Sequence, residues 1–202
     1  MIMDSENINV YVLRHGQSQA NLKRLVCGQT DFPLTDLGRE QAARVCNKLA
    51  KLKFDRVYSS PLRRATQTIE PLEFDLHDIT LVPDIMEVNT GEYSDLTIEE
   101  LYENYPQYKY QGLNADLSYP DGESLNSMIR RASNWFNREK RDWRFGENIL
   151  IVGHEGTLCA FLHDHFKMDI ENYPSFKIPN CGYIHMSINS DNQVRVKFLN
   201  ME

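Results

Sequence analysis

Val10–Tyr11–Val12–Leu13–Arg14–His15–Gly16–Gln17–Ser18–Gln19–Ala20–Asn21 is the stretch that decides how the rest of this chain is read. Four residues suited to a buried parallel strand run straight into a cation, an imidazole and a glycine. A strand of a parallel α/β sheet delivers whatever follows it to the sheet's carboxyl edge, where such folds place their sites. Arginine presents a rigid fork of donors matched to phosphate or carboxylate oxygens. Histidine beside it can act as a nucleophile, an acid–base or a metal ligand. Gly16 lets the backbone approach a ligand closely, and Ser18 and Asn21 add short polar groups on the way out of the turn. Alone, the Arg–His pair is equally an incidental strand end, so the weight falls on the rest of the chain.

Two further strand ends carry similar chemistry. Val57–Tyr58–Ser59 reads as a short strand followed by Ser60 and Pro61 as N-cap and first helical position, with Arg63 and Arg64 in the first turn and the helix fading near Pro71. Asn148–Ile149–Leu150–Ile151–Val152 is an uninterrupted apolar run, which suits a strand buried on both faces, and it leads into Gly153–His154–Glu155–Gly156 and a helix to about Phe166. Asn21 to Pro33 reads as a polar loop. Thr35 is placed to cap a helix reaching about Leu52, and Ser124 introduces the most regular apolar stripe, Leu125, Met128, Ile129, Ala132, Trp135 and Phe136. That stripe is packing. Thr80–Val82 reads as a short strand, Asp84 to Asp95 as loop, and Ile98 to Tyr105 as a short helix. Tyr102, Tyr105, Tyr108, Tyr110 and Tyr119 point to a folded cap over about 84–121. Tyr183–Ile188 and Val194–Leu199 alternate with period two and read as a hairpin.

Strand–helix alternation predicts an α/β fold: a three-layer sandwich with a mostly parallel central sheet, helices on both faces and a C-terminal antiparallel hairpin. Its 202 residues predict a single domain, 1–202, with the cap as an insertion. The charge of −7, without a basic run, argues against nucleic acid or an anionic membrane as partner. The opening Met1–Glu6 lacks the basic flank and apolar core of a signal peptide. Four scattered cysteines without C-x-x-C spacing suit a reducing compartment, the cytoplasm. Converging Arg14, His15, Arg63 or Arg64, and His154 would make a cationic pocket in an acidic protein, a site for a dianion such as a phosphoryl group. There is no P-loop for a nucleotide and no carboxylate cluster for magnesium.

The chain resembles the histidine phosphatase (phosphoglycerate-mutase-like) superfamily. Arg14–His15–Gly16–Gln17–Ser18–Gln19–Ala20–Asn21 is similar to its signature R-H-G-x-S-x-x-N, and the likeness continues through Gly28–Gly38. Ser59–Thr68 is similar to the second motif, in which the arginine before alanine, here Arg64, is the phosphate ligand. Glu87 ahead of Gly91, Gly122–Glu123–Ser124, Val152–Gly153–His154 and Pro179–Asn180 also match.

The resemblance implies that His15 attacks phosphorus to give a phosphohistidine, and that Arg14, Arg64 and His154 hold the equatorial oxygens, with Asn21 as a neutral donor. It implies that Glu87 protonates the leaving oxygen and then activates water. Gln17, Ser18, Cys27 and Gly28 match substrate-side positions. No cofactor or metal is implied. The partner is a small phosphorylated substrate, and a homodimer is allowed for. The family's mutases close the pocket with a long basic insertion, whereas the segment here is short, and Glu92, Asp95, Glu99, Glu100 and Glu103 precede its first lysine, Lys109. The leading expectation is therefore a metal-independent phosphomonoester hydrolase. A 2,3-bisphosphoglycerate-dependent mutase and a non-catalytic phospho-ligand-binding protein are the alternatives. Two departures bear on specificity: Glu92–Leu96 after Gly91, and Glu155 beside His154. His163–Asp164–His165 has metal-like spacing but reads as a solvated helix end.

Overall fold

The computed structural model of the chain describes residues 6–109 and 114–200; Met1–Ser5 and Tyr110, which the expectations touch, lie outside them. Six strands form one sheet: β1 (Ile8–Arg14), β2 (Arg56–Ser59), β3 (Ile79–Leu81), β4 (Asn148–Gly153), β5 (Tyr183–Ile188) and β6 (Val194–Asn200). Their spatial order is β3-β2-β4-β1-β5-β6. The first four strands are mutually parallel, whereas β5 runs antiparallel to β1 and β6 antiparallel to β5. Helices α1 (Gln19–Lys23), α2 (Asp36–Leu49), α3 (Arg63–Ile69), α4 (Ile98–Asn104), α5 (Leu125–Glu139) and α6 (Glu155–Phe166) complete the elements, with short 3₁₀ turns between them.

The strands' apolar runs are explained by burial on both faces. Successive side chains of a strand point to opposite faces. Val10 and Val12 of β1, with Ile149 and Ile151 of β4, pack against Met128, Trp135 and Phe136 of α5 and Leu158 and Phe161 of α6. Tyr11, Leu13, Leu150 and Val152 face Ala42, Val45 and Leu49 of α2 and Ala65 and Ile69 of α3. This is the three-layer sandwich that the alternation predicts. Burying one such aliphatic side chain contributes roughly 1.5–3 kcal/mol, so a polar residue at Ile151 or Leu150 would break one layer's seam. Among the described residues no helix is long and apolar enough to cross a membrane.

Three local readings need correction. The loop after β1 contains α1, because Ser18 and Asn21 form a reciprocal capping box that satisfies the helix start. The helix after β2 begins at Arg63, with Leu62 rather than Ser60 at the N-cap and Pro61 outside it. Ser60 is drawn elsewhere: its N–H donates to Val152 O at 2.9 Å and its hydroxyl pairs with His154 Nε2 at 2.8 Å. The short third strand covers Ile79–Leu81, one residue earlier than the alternation suggests.

Candidate active site

β1 and β4 are neighbours in register, Arg14 opposite Gly153, so the residues that leave both strands meet at one edge. β2 pairs with β4 on the other side, which brings α3 and Arg64 to the same edge. Between this edge and residues 87–108 and Tyr119 lies a cavity of about 670 Å³. Arg14, His15, Asn21, Cys27, Gly28, Arg64, Glu87 and Glu155 are among its lining residues.

His15 is 4% exposed and tightly held. Its backbone N–H donates to Gly153 O at 3.0 Å, and its carbonyl accepts from Cys181 N–H at 3.2 Å and Asn180 Nδ2 at 3.1 Å. Gly16 O lies 2.7 Å from Nδ1, and a carbonyl can only accept, so Nδ1 carries the proton. The lone pair therefore sits on Nε2. Burial first, then the Arg64 and Arg14 guanidiniums, hold the His15 pKa well below its ordinary value. The ring is a neutral imidazole, the form a nucleophile requires.

Arg64, 1% exposed, spends one donor of each nitrogen on fixing itself. Nε donates to His154 Nδ1 at 3.2 Å, Nη1 to Thr30 O at 2.9 Å and Nη2 to Gly28 O at 2.7 Å. Each Nη keeps a second hydrogen. Arg63, by contrast, is exposed. Arg14 Nη1 donates to Ile178 O and pairs with Glu155 Oε2 at 2.8 Å. Arg14 Nε is buried without a partner. A buried donor left unpaired costs about 1–3 kcal/mol, which an anion's oxygen would recover.

His154 does not line the cavity. It is fully buried, its ring centroid 5.1 Å from that of His15, with Nδ1 accepting from Arg64 and Nε2–H donating to Ser60 Oγ. Burial, then Arg64, His15 and Arg14, push its pKa well down. The resting site is thus less cationic than its side-chain inventory suggests: its positive charge comes from the guanidiniums, not the imidazoles.

Glu87 closes the opposite wall. Its Oε2 accepts from Gly156 N–H at 3.1 Å and its Oε1 from Val88 N–H at 3.0 Å. A Cβ on Gly156 would overlap Glu87 Oε1, so only glycine lets the carboxylate sit on the first turn of α6. Arg131 of α5 secures the loop from behind. It donates to Asp84 O at 2.7 Å and Glu87 O at 2.8 Å while pairing with Glu123 at 2.6 Å. Glu123 in turn accepts from Asn89 N–H at 2.8 Å. Arg131 is absent from the sequence reading because its position on a helix looks like any solvated arginine.

The other expected residues divide. Asn21 Oδ1 accepts from Ser18 N–H at 3.0 Å, Ser18 Oγ at 3.0 Å and Asn180 Nδ2 at 3.3 Å, so the amide faces the cavity with its Nδ2 donor. Gly28 presents its carbonyl to Arg64, and Cys27 lies beside it on the lining. Gln17 and Ser18 do not line the cavity: Gln17 Oε1 accepts from Thr35 Oγ1 at 2.9 Å, and Ser18 is fully buried as the cap of α1. His15 and Asn21, on either side of them, line the cavity, while Gln17 and Ser18 shape the turn between. His163 accepts from Ser175 N–H at 3.2 Å, and among the described residues no group of three or more His, Cys, Asp or Glu side chains is arranged to hold a metal.

An α/β sandwich with histidine and paired arginines at one sheet edge has the architecture of a phosphoryl-handling enzyme. The profile of the histidine phosphatase superfamily (branch 1) matches residues 10–201, and the chain belongs to that superfamily. It is 32% identical over 164 residues to phosphoglycerate mutase-like protein 4 of Arabidopsis thaliana, covering 77% of this chain and 71% of that protein. It is 27% identical over 185 residues to phosphoserine phosphatase 1 of Hydrogenobacter thermophilus, covering 89% and 87%. The fold superposes on mycobacterial glucosyl-3-phosphoglycerate phosphatase with a TM-score of 0.82 at 23% identity, covering 96% of this chain and 99% of the other.

Proposed function

We propose that this chain is a metal-independent phosphomonoester hydrolase working through a phosphohistidine on His15. The observation that carries the reading is the fixed tautomer: Nδ1–H is tied to Gly16 O, which leaves the lone pair of a neutral Nε2 beside Arg14 and Arg64. Nε2 attacks phosphorus as the bond to the leaving oxygen breaks. The carboxyl group of Glu87 supplies that oxygen's proton. Water then attacks phosphorus as the P–Nε2 bond breaks, its proton passing to Glu87, so that neutral His15 is regenerated and inorganic phosphate is released. Arg14 Nε, the free hydrogens of Arg64 and Asn21 Nδ2 answer the charge spread over the equatorial oxygens, the work a divalent cation does elsewhere. His154 acts here by holding Arg64 in place. We read 1–202 as one domain, with 84–121 as a cap over the cavity, and place the protein in the cytoplasm, which suits its four free cysteines.

The relatives carry both mutase and phosphatase names. Hydrolysis is favoured by the cap's charge: among the described residues the cap's share of the lining holds no cation, and Lys177, the lining cation outside Arg14 and Arg64, is exposed. A mutase must keep water off its phosphoenzyme while the intermediate turns over. The test is incubation with 3-phosphoglycerate and catalytic 2,3-bisphosphoglycerate, following phosphate release and 2-phosphoglycerate together. Phosphate release without isomerisation is expected; fast isomerisation with negligible phosphate release would overturn the hydrolase reading.

A further inference from the structure

Beyond the phosphate-holding edge, the cavity changes character. Its outer wall is built by Leu101, Tyr102, Tyr108, Tyr119, Met128 and Phe176. Tyr108 and Tyr119 are stacked, centroids 4.6 Å apart at 15°, and Tyr108 donates its hydroxyl to Ser118 O at 2.8 Å. Burial raises the pKa of Tyr102 and Tyr108 and pushes Tyr119 up to about 12, so these hydroxyls stay uncharged. The wall is therefore a neutral, largely apolar face, with Tyr108 and Tyr119 held against each other.

Among the described residues, two charged side chains besides Arg14, Arg64 and Glu87 line the cavity, Glu155 and Lys177. Glu155 lines the same cavity, its carboxylate fixed by Arg14 Nη1 at 2.8 Å and by Ile178 N–H at 3.2 Å. It sits in the first turn of α6, where the helix dipole favours an anion. Lys177 is the only lining cation besides Arg14 and Arg64 among the described residues, and it is exposed, where water and salt screen it.

We propose that Glu155 and the tyrosine wall select phosphomonoesters whose leaving group is uncharged and offers an apolar or aromatic face, with Glu155 as the specificity determinant against a leaving group bearing a carboxylate or second phosphate. This rests on the hydrolase reading above. A substrate carboxylate would stand near an anchored carboxylate, with Arg14 and Arg64 taken up by the phosphoryl group. An apolar ring instead displaces water from the tyrosine faces.

The experiment compares two aryl phosphates that differ only at the para position, 4-carbamoylphenyl phosphate and 4-carboxyphenyl phosphate. The carbamoyl compound is expected to show about tenfold higher kcat/KM, the scale of a partly screened charge–charge repulsion. In Glu155→Gln that ratio should shrink to about twofold. Calorimetric Kd values for the matching benzylphosphonates read the same preference without turnover. If neither phosphate is hydrolysed but the phosphonates still rank in this order, the hydrolase reading fails and the selectivity stands. Equal kcat/KM values, a preference for the carboxylate, or an unchanged ratio in Glu155→Gln would overturn the proposal.

Discussion

Arg64 Nε donates to His154 Nδ1 across 3.2 Å, in a region where neither side chain is more than 1% exposed. A permanent cation donating to an imidazole nitrogen requires that nitrogen to be unprotonated. The proton of His154 is thereby assigned to Nε2, where Ser60 Oγ receives it at 2.8 Å. The chain Ser60–His154–Arg64 then continues to Gly28 O and Thr30 O, so one guanidinium ties the Gly28–Thr30 loop to the turn between β4 and α6. Fixing a ligand of the transition state beforehand is what lets it act without reorganisation.

Acid-labile phosphate is expected on His15, at Nε2, when the protein is quenched during turnover of an aryl phosphate, and activity is expected to survive exhaustive chelation. The motivation is the Nδ1–H bond to Gly16 O, which leaves one nucleophilic nitrogen. Peptide mapping of the quenched protein locates the phosphate. Activity lost to chelator and restored by zinc or magnesium contradicts the mechanism.

Glu87→Gln should slow hydrolysis of alkyl phosphates by about 10²–10⁴-fold, the worth of general acid catalysis, and aryl phosphates far less, since phenolates leave without a proton. Gly156→Ala should reproduce that pattern, because the added methyl takes the space of Glu87 Oε1. Leaving-group series for the two variants provide the check. Equal losses for both substrate types would remove Glu87 from the acid role.

The site was legible in the sequence because its residues follow strand ends directly. Arg14, His15 and His154 each leave a strand that reads as apolar, and such strands deliver their successors to one edge. Gln17 and Ser18 match substrate-side positions of the family's motif or shape the loop, and motif adjacency does not say which; Thr35 and the start of α1 claim these two. His154 was expected among the phosphate ligands, but partners ninety residues away, Arg64 and Ser60, absorb both ring nitrogens. Arg131 left no signal, since an arginine's partners across the fold are invisible along one helix. The N-cap at Ser60 failed because tertiary pairing with His154 outbids local capping.

Stability should fall as the pH drops below about 6.5, the ordinary pKa to which His15 and His154 return on unfolding. Both are lowered in the folded chain, by burial and the neighbouring guanidiniums, so below that pH the unfolded chain binds protons the folded chain refuses. Their contribution is present above about 6.5 and is lost below it, at up to about 1.4 kcal/mol per pH unit for each ring. His163 and His165, also lowered by burial, act in the same direction. Urea unfolding at pH 7.5 and 5.5 measures the slope, and His154→Gln should flatten it. A stability that does not change between those pH values contradicts the burial of neutral rings.

The position of β1 in the sheet also sets a schedule for biosynthesis. β1 is made first, yet both of its neighbours, β4 and β5, come from the last third of the chain. The carbonyl of His15 and the guanidinium of Arg14 wait for Asn180, Cys181 and Ile178. Contacts of such sequence separation close late, because the loop between them must be ordered before they are formed. A nascent chain ending before β4 holds the signature Arg14–His15–Gly16 beside an open strand edge and cannot assemble an anion site. Assembly of this sheet edge therefore waits until β4, β5 and the Ile178–Cys181 segment have been made, and until then both edges of β1 are open to pairing with other chains.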